Sequence, residues 1–188
     1  MVYSNNAAPD GSTLQAILLD GSYYVRQPNV QPLGSQSTSL ALWFYASALA
    51  TGDVRRFLKL GSLILTYTQE THTFELVAGS VSDTSNVDVL DGAGWKYYAL
   101  VYTRVTATTG TLVFYLNGNA RISLTITDSS ELSGGWEGLD IGSIATVSGG
   151  SPLIFFDFSC WPSAKTAAQL SLYQSLSVSD PGLVLPPI

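Results

Sequence analysis

The chain has 188 residues, of which 46% are hydrophobic and only 12% are charged, and its formal net charge is −6. This length suits a single domain, and all-β sandwiches commonly reach it as one unit. The charged share is about half of the usual value of roughly 25%. Ser, Thr, Asn and Gly therefore supply most of the polar surface, and a weakly charged surface is poorly protected against association.

Charge, hydropathy and cysteine content exclude several classes of protein. The eight Lys and Arg residues are scattered, so the chain lacks the basic stripe of a nucleic-acid-binding protein. No apolar run approaches the roughly 18–20 residues that span a bilayer, so we expect no membrane partner. The start, MVYSNNAAPDGS, lacks the basic and apolar regions of a signal peptide. Cys160, the only cysteine, lies in an apolar run and is predicted to be a buried, inert thiol.

The first half of the chain predicts an arm followed by short strands. Residues 1–16 are polar and show no strand periodicity before Leu14, which predicts an N-terminal arm. Beyond the arm, short apolar runs alternate with turn residues, which is typical of an all-β domain. Residues 80–94 are predicted to form a polar loop. The predicted strands cover 16–26, with a break at Asp20-Gly21, and 39–46, 56–60, 63–68 and 73–77.

The second half predicts a hairpin, a last core strand and a helix. Asn117-Gly118 predicts a type I′ turn because both residues tolerate a positive φ. Pro162 is suited to the first helical position, so we expect a short helix from there to Tyr173. Residues 177–188 are rich in proline and have no period, which predicts a tail. The predicted strands cover 96–104, 112–116, 121–127 and 154–161, with a Gly/Ser loop at 129–138.

Four segments appear in an order that resembles a known family. They are GWKYYALVYTR at 94–104, TLVFYLNGN at 111–119, LDIGS at 139–143, and IFFDFSCW followed by PSAKTAAQLSLY at 154–173. Together they resemble the laminin-G-like, concanavalin A-type jelly roll. The resemblance implies an all-β, two-sheet antiparallel sandwich with one short C-terminal helix, here over residues 17–176 between the arm and the tail. It also implies a role in binding or assembly more often than in catalysis.

No arrangement of acids indicates a glycan-cleaving enzyme. A retaining pair needs two carboxyl groups about 5–5.5 Å apart, which residues i and i+2 of one strand can supply. Glu70 and Glu75 are five residues apart, and Asp157 stands alone among phenylalanines. His72 is the only histidine and has no nucleophile motif beside it. We therefore expect no enzyme and no cofactor.

Two ligands other than protein remain open. The acidic stretch SDTSNVDVLD is a weak Ca²⁺ candidate, although a solvated loop is favoured because Ca²⁺ wants six to eight oxygen ligands. Its candidate ligands are Asp83, Asn86, Asp88 and Asp91. Sugar binding is the stronger hypothesis, since lectin sites stack a sugar's apolar face on an aromatic ring. Trp136 and Glu137 are the candidate glycan contacts, while Trp43, Trp95 and Trp161 are predicted to be core residues.

The two ends of the chain lead to the main functional hypothesis. Both carry apolar residues that could dock on the chain itself or on neighbours. The predicted contacts are Val2, Tyr3, Leu14, Leu183, Val184, Leu185, Pro186, Pro187 and Ile188. We predict a non-enzymatic virion structural protein, namely a decoration (cement) protein on the capsid surface of a tailed bacteriophage. Its partners would be its own copies, with a trimer favoured, and a major capsid protein, and it would be made in the host cytoplasm. The alternative is a carbohydrate-binding, lectin-like module, for example on a phage fibre.

Overall fold

The computed structural model describes residues 2–4, 16–19, 25–27, 34–46, 54–86, 95–132, 139–141 and 153–179. Within these residues the chain forms two antiparallel sheets and one α-helix. The elements in chain order are β1 (Val2–Ser4), β2 (Ala16–Leu19), β3 (Val25–Gln27), β4 (Thr38–Ala46), β5 (Val54–Leu60), β6 (Leu63–Thr68), β7 (Thr73–Ala78), β8 (Val81–Asn86), β9 (Trp95–Arg104), β10 (Gly110–Leu116), β11 (Asn119–Ile126), a short 3₁₀ turn (Ser129–Leu132), β12 (Leu139–Ile141), β13 (Leu153–Trp161) and α1 (Ala167–Ser179).

The two sheets have seven and six strands. The seven-stranded sheet has the order β1-β2-β13-β4-β9-β10-β11, and the six-stranded sheet has the order β3-β12-β5-β6-β7-β8. Strands that are distant in sequence pair inside both sheets, as β13 does with β4 and β12 with β5. This is the two-sheet jelly-roll sandwich that the sequence predicts, and the fold class is confirmed.

Strict alternation builds the core between the sheets. In β6 and β10 every second side chain is buried, because successive side chains of a strand point to opposite faces. The inward residues form a close-packed aromatic centre in which the Phe57 ring meets Phe44 edge-on at 4.8 Å between centroids. The Phe74 ring lies 4.8 Å from Tyr67 and 5.0 Å from Phe114. Aromatic pairs at such distances are favourable beyond the apolar area that they bury.

The predicted hairpin turn is confirmed. Asn117 and Gly118 have φ values of 48° and 77°, as a type I′ turn requires. The turn is also tied to the neighbouring strand, because Tyr97 N donates to Asn117 Oδ1 at 2.9 Å and Asn117 N donates to Tyr97 O at 2.7 Å.

The predicted polar loop over 80–94 is wrong in its first half. Residues Val81–Asn86 form β8, which pairs with β7 at the edge of the six-stranded sheet. An edge strand needs only backbone hydrogen bonds to one neighbour, so exposed Ser, Asp and Thr side chains can occupy it. This is why β8 lacks the apolar alternation that marks the other strands.

The predicted helix starts too early and ends too early. It runs over Ala167–Ser179, whereas Pro162 precedes it by five residues. A capping box sets the start: Thr166 N donates to Gln169 Oε1 at 2.9 Å, and Gln169 N donates to Thr166 Oγ1 at 3.2 Å. Ser39 holds the non-helical segment that precedes α1. Its Oγ donates to Ser163 O at 2.8 Å and accepts from Lys165 N at 2.9 Å.

Part of the predicted arm lies on the sandwich itself. Residues Val2–Ser4 form β1, the edge strand that pairs with β2, with Tyr3 opposite Ile17. The remainder of residues 1–16 up to β2 lies outside the described residues. Of the helices that the structure describes, none combines the length and the apolar character needed to cross a bilayer.

Candidate functional site

Helix α1 covers the outer face of the seven-stranded sheet at β4, β9 and β13, and we call this part the sealed face. Outward residues of β4, β9 and β13 form a second apolar cluster with Leu170 and Tyr173 of the helix. The Trp161 and Tyr173 rings stack at 4.7 Å with an interplanar angle of 27°. Lys165 is 4% exposed, and its Nζ lies 5.8 Å from the Trp161 ring and 5.7 Å from the Tyr173 ring. Cation–π attraction and packing therefore hold the helix on the sheet.

The predicted core tryptophans belong to this sealed face. Trp43 and Trp161 are each 6% exposed, and the half-buried Trp95 packs against the same cluster. Their prediction as core residues is confirmed for Trp43 and Trp161, but the helix covers them rather than the opposite sheet. The Trp43 ring packs on Tyr97 at 5.3 Å.

Asp157 stands at the border of the sealed face. It lies where β13 loses register with β4, between Phe156 and Ser159, and it has a φ of 52°. Burial, the Asp157 charge and Tyr173 together hold the pKa of Tyr97 well above its usual range. The carboxyl group therefore lies within electrostatic reach of the Tyr97 phenol, at the margin of an aromatic cluster.

The prediction of a buried Cys160 is wrong. The side chain is exposed, although adjoining atoms desolvate the thiol enough to raise its pKa. Strand β2 pairs with β13 only over Leu153–Phe155, so the later residues of β13 have no described strand beside them on that edge. Phe158 is 39% exposed for the same reason.

The outer face of the six-stranded sheet contrasts with the sealed one, and we call it the open face. Among the described residues α1 packs on the other sheet, and Glu75, Ser82 and Thr84 of the open face are exposed. One register row carries Arg56, Thr66, Glu75 and Thr84 on four adjacent strands. The next row carries Lys59, Ile64, Val77 and Ser82. These eight side chains are half-buried or exposed. Beyond Lys59 the same row continues with Asp140 on β12 and Arg26 on β3.

A β-bulge gives the open face two cations on one strand. Residues three apart on a regular strand point to opposite faces, but the register of β5 shifts between Arg56 and Leu58. Phe57 and Leu58 both point inward and are fully buried, so Arg56 and Lys59 both point outward. Bulges of this kind re-aim side chains and are frequent beside functional sites.

Arg56 has an unsatisfied donor. Its Nε is buried and has no hydrogen-bond partner within the described part of the chain. Thr66 lies between it and Glu75 in the row, so the carboxylate is two strands away, roughly 9–10 Å at the usual strand spacing. Among the described residues Nε has no acceptor, so it is a donor that an external acceptor would satisfy.

The sequence-predicted ligand sites are only partly within the described residues. Trp136, Glu137, Asp88 and Asp91 lie outside them, as do Leu14 and the predicted tail contacts from Leu183 to Ile188. Asp83 and Asn86 lie on β8, and the exposed Asp83 Oδ1 accepts from Thr84 N at 2.8 Å. No group of three or more His, Cys, Asp or Glu side chains that could hold a metal occurs among the described residues.

His72 is part of the turn between β6 and β7. It takes a positive φ of 49° in the β6–β7 hairpin and lies 3.3 Å from the Tyr67 hydroxyl through Nδ1. Glu70 is in the same turn, whereas Glu75 is on β7. Among the described strands, none carries two acids on one face.

A comparison with protein families agrees with this fold. A laminin-G family profile, described as the concanavalin A-like lectin/glucanases superfamily, matches residues 19–170. The chain belongs to this superfamily. The resemblance inferred from the four sequence segments is thereby confirmed. No curated protein sequence matches the chain.

Several solved structures that match this chain are toxin binding domains. The binding domain of Paraclostridial Mosquitocidal Protein 1 matches with a TM-score of 0.67 and 10% identity, over 91% of this chain and 45% of that one. The receptor binding domain of botulinum neurotoxin D matches with a TM-score of 0.60 and 11% identity, over 84% and 43%. A structure of botulinum neurotoxin type C, reported for its interaction with two ganglioside molecules, matches with a TM-score of 0.57 and 10% identity, over 86% and 47%.

These matches establish the fold alone. The chain spans less than half of the length of each of these binding domains, and the identities are far below those of close relatives. The neighbours are binding domains, and the superfamily includes lectins. Neither the superfamily description nor these structures refers to a capsid.

Sequence reasoning missed the open face. It described all eight Lys and Arg residues, including Arg56 and Lys59, as scattered. The alternation rule places Arg56 and Lys59 on opposite faces, and only the bulge at Phe57 brings them together. The one available signal was the apolar pair Phe57-Leu58 inside a strand, which breaks strict alternation.

Proposed function

We propose that this chain is a non-catalytic carbohydrate-binding domain, and that the open face of the six-stranded sheet is its binding surface. The observation that carries the proposal is the contrast between the two outer faces. Helix α1 covers one of them at β4, β9 and β13, whereas the other presents hydroxyl, cationic and carboxylate groups in two adjacent rows. Superfamily membership supports a sugar as the ligand, since lectins give the superfamily part of its description.

Binding without cleavage is the activity that the described acids support. A retaining glycanase needs two carboxyl groups about 5–5.5 Å apart. Glu75 and Asp140 both belong to the open face, but Asp140 lies three strands away from Glu75, roughly 14 Å at the usual strand spacing. Asp83 on the next strand pairs with the inward Leu76, so Asp83 and Glu75 project from opposite sides of the sheet. The open face can therefore hold a sugar, but Glu75 has no described partner for acid–base chemistry.

A glycan array with the full chain tests the proposal. We expect a defined set of oligosaccharides to bind and to be released intact, with no new reducing ends after prolonged incubation. The variant Thr66→Val removes a hydroxyl from the centre of the open face at nearly constant shape. Loss of one hydrogen bond of about 1 kcal/mol weakens binding roughly fivefold. The matched control is Thr111→Val, a half-buried threonine on β10 of the other sheet. An empty array would contradict the proposal.

Trp136 and Glu137 stay a prediction for a second contact with the same glycan. The variant Trp136→Ala tests it on the same array. Loss of binding in Trp136→Ala with normal binding in Thr66→Val would move the site from the open face to the loop.

The capsid decoration role also stays a prediction, with partners and virion location that no comparison supports. It requires the apolar tail to contact a shell. Removal of residues 177–188 should abolish attachment to purified capsids if the role is correct, and should leave glycan binding unchanged if our proposal is correct.

A further inference from the structure

We propose that the open face selects acidic sugars, with Arg56 binding the sugar carboxylate and Lys59 supplying a second positive charge. This inference rests on the proposed function, because it names the class of sugar that the same surface takes. It applies to sugars such as sialic and uronic acids, whose carboxylate distinguishes them from neutral hexoses.

Positive charge is concentrated on one strand of an acidic protein. The chain has eight Lys and Arg residues and a net charge of −6, yet three of the eight, Arg55, Arg56 and Lys59, belong to β5. The exposed Glu75 lies on this face, and Asp140 of β12 lies opposite Lys59 in the register, with Arg26 of β3 opposite Asp140. Three cationic residues, Arg26, Arg56 and Lys59, therefore occupy the β5 end of the face beside one acidic residue, and this local excess of positive charge favours an anionic ligand.

The bulge in β5 is what makes the two cations act together. It turns Phe57 and Leu58 into the core and leaves Arg56 and Lys59 on the same side of the sheet. A regular strand would present only one of them there. The bulge is also the place where the sheet gives up regular pairing, and such irregularities recur where side chains are aimed at ligands.

The unsatisfied Nε of Arg56 indicates what binds. A guanidinium matches a carboxylate through two parallel N–H···O hydrogen bonds, and one donor of this fork lacks a partner among the described residues. Because Nε is shielded from solvent in the free chain, we expect the Arg56 side chain to turn outward on binding. Its unmet hydrogen bond favours that rearrangement, since the bound carboxylate satisfies a donor that the fold leaves unpaired.

The rest of the face suits the body of a sugar ring. Thr66 and Thr84 continue the Arg56 row with hydroxyls, and Glu75 adds an acceptor for sugar hydroxyl groups. In the next row the half-buried Ile64 and Val77 lie beside Lys59 and offer an apolar surface. Polar and apolar rows side by side match the two kinds of surface that a pyranose presents.

Matched pairs of oligosaccharides test the inference. The probes are a sialic-acid-terminated and a uronic-acid-terminated oligosaccharide, each compared with the same molecule after amidation of its carboxylate. We expect the free acid to bind at least tenfold more tightly than the amide. Raising the salt concentration should reduce this preference, because partly exposed charges are screened.

Variants locate the preference. Arg56→Gln should weaken binding of the acid at least tenfold and leave binding of the amide nearly unchanged, and Lys59→Gln should do the same to a smaller extent. Arg56→Lys should restore the charge without the bidentate geometry, so it should recover only part of the affinity. Arg121→Gln is the matched control, because it removes one positive charge from an exposed residue of β11 in the other sheet. Thermal unfolding of each variant confirms that it is folded.

Three outcomes separate this inference from the proposed function. Equal binding of acid and amide overturns the inference and leaves the carbohydrate-binding function intact. An acid preference that Arg56→Gln does not change also overturns it, because the carboxylate is then bound elsewhere. Binding of no oligosaccharide overturns both.

Discussion

The two outer faces of the sandwich carry different kinds of residue. The seven-stranded sheet turns Trp43, Tyr97 and Trp161 outward and covers them with a helix that contains no charged residue. The six-stranded sheet turns Arg56, Lys59 and hydroxyl side chains outward, where they are half-buried or exposed. The rings of Trp43, Tyr97 and Trp161 are therefore packed beneath the helix and are not free to stack on a ligand.

The largest expected effect on stability concerns the packing of α1 on the seven-stranded sheet. Leu170 of α1 is fully buried against the sheet, whereas Leu172 on the same helix is 53% exposed. Leu170→Ala should lower the free energy of unfolding by about 2–5 kcal/mol, since it deletes buried methyl groups and leaves a cavity. Leu172→Ala should change it by less than about 0.5 kcal/mol. Urea unfolding of both variants measures the difference, and equal effects would show that α1 does not seal the face.

The sealed face should also be sensitive to alkali. Burial raises the pKa of Tyr97 in the folded chain, with further contributions from Asp157 and Tyr173. A raised folded pKa gives stability that is complete below the unfolded value near 10 and is lost as the pH rises above it. At pH 11, one unit above the unfolded value, the loss from Tyr97 is about 1 kcal/mol. Tyr97→Phe should therefore flatten the fall in stability between pH 9 and pH 11, whereas Tyr115→Phe serves as a control on the same face.

The capping box should contribute less than the buried leucine. Thr166 and Gln169 exchange hydrogen bonds at the start of α1, so Thr166→Ala should cost about 1 kcal/mol. Gln169→Ala should cost less, and the double variant should cost less than the sum because both changes remove one reciprocal contact. Full additivity in urea unfolding would indicate that the two hydrogen bonds act separately.

These contrasts also show what the sequence could and could not predict. Alternation of apolar residues located β6 and β10, and a continuous apolar run located β9. Asn117-Gly118 predicted a turn, because each of these signals acts over a few neighbouring residues. The edge strand β8 was missed because its side chains are polar and only its backbone pairs. The helix start was misplaced because Pro162 is suited to a helix, whereas the Thr166–Gln169 capping box decides where it begins.

The candidate site depended on information that no short pattern carries. Arg56 and Lys59 share a face only because of a register shift, and a register shift is a property of two paired strands. Trp136 was favoured because it lies in a loop, and it remains outside the described residues. The prediction that Trp43 and Trp161 are buried was confirmed, but the element that buries them could be identified only from the folded chain.

The smallest expected effect on stability is at Arg56 on the open face, and it tests most directly whether the two outer faces differ in role. Arg56 leaves a buried donor without a partner, so its guanidinium contributes little to folding. Arg56→Met keeps an apolar stem of similar length and removes that donor, so the free energy of unfolding should stay within about 0.5 kcal/mol of the parent value or rise. Urea unfolding at neutral pH measures it. A fall of 2 kcal/mol or more would mean that Arg56 is part of the structural framework, and the open face would lose its strongest sign of a binding role. An unchanged or raised stability would mean that the fold retains Arg56 at no structural benefit, as is expected of a residue kept for a ligand.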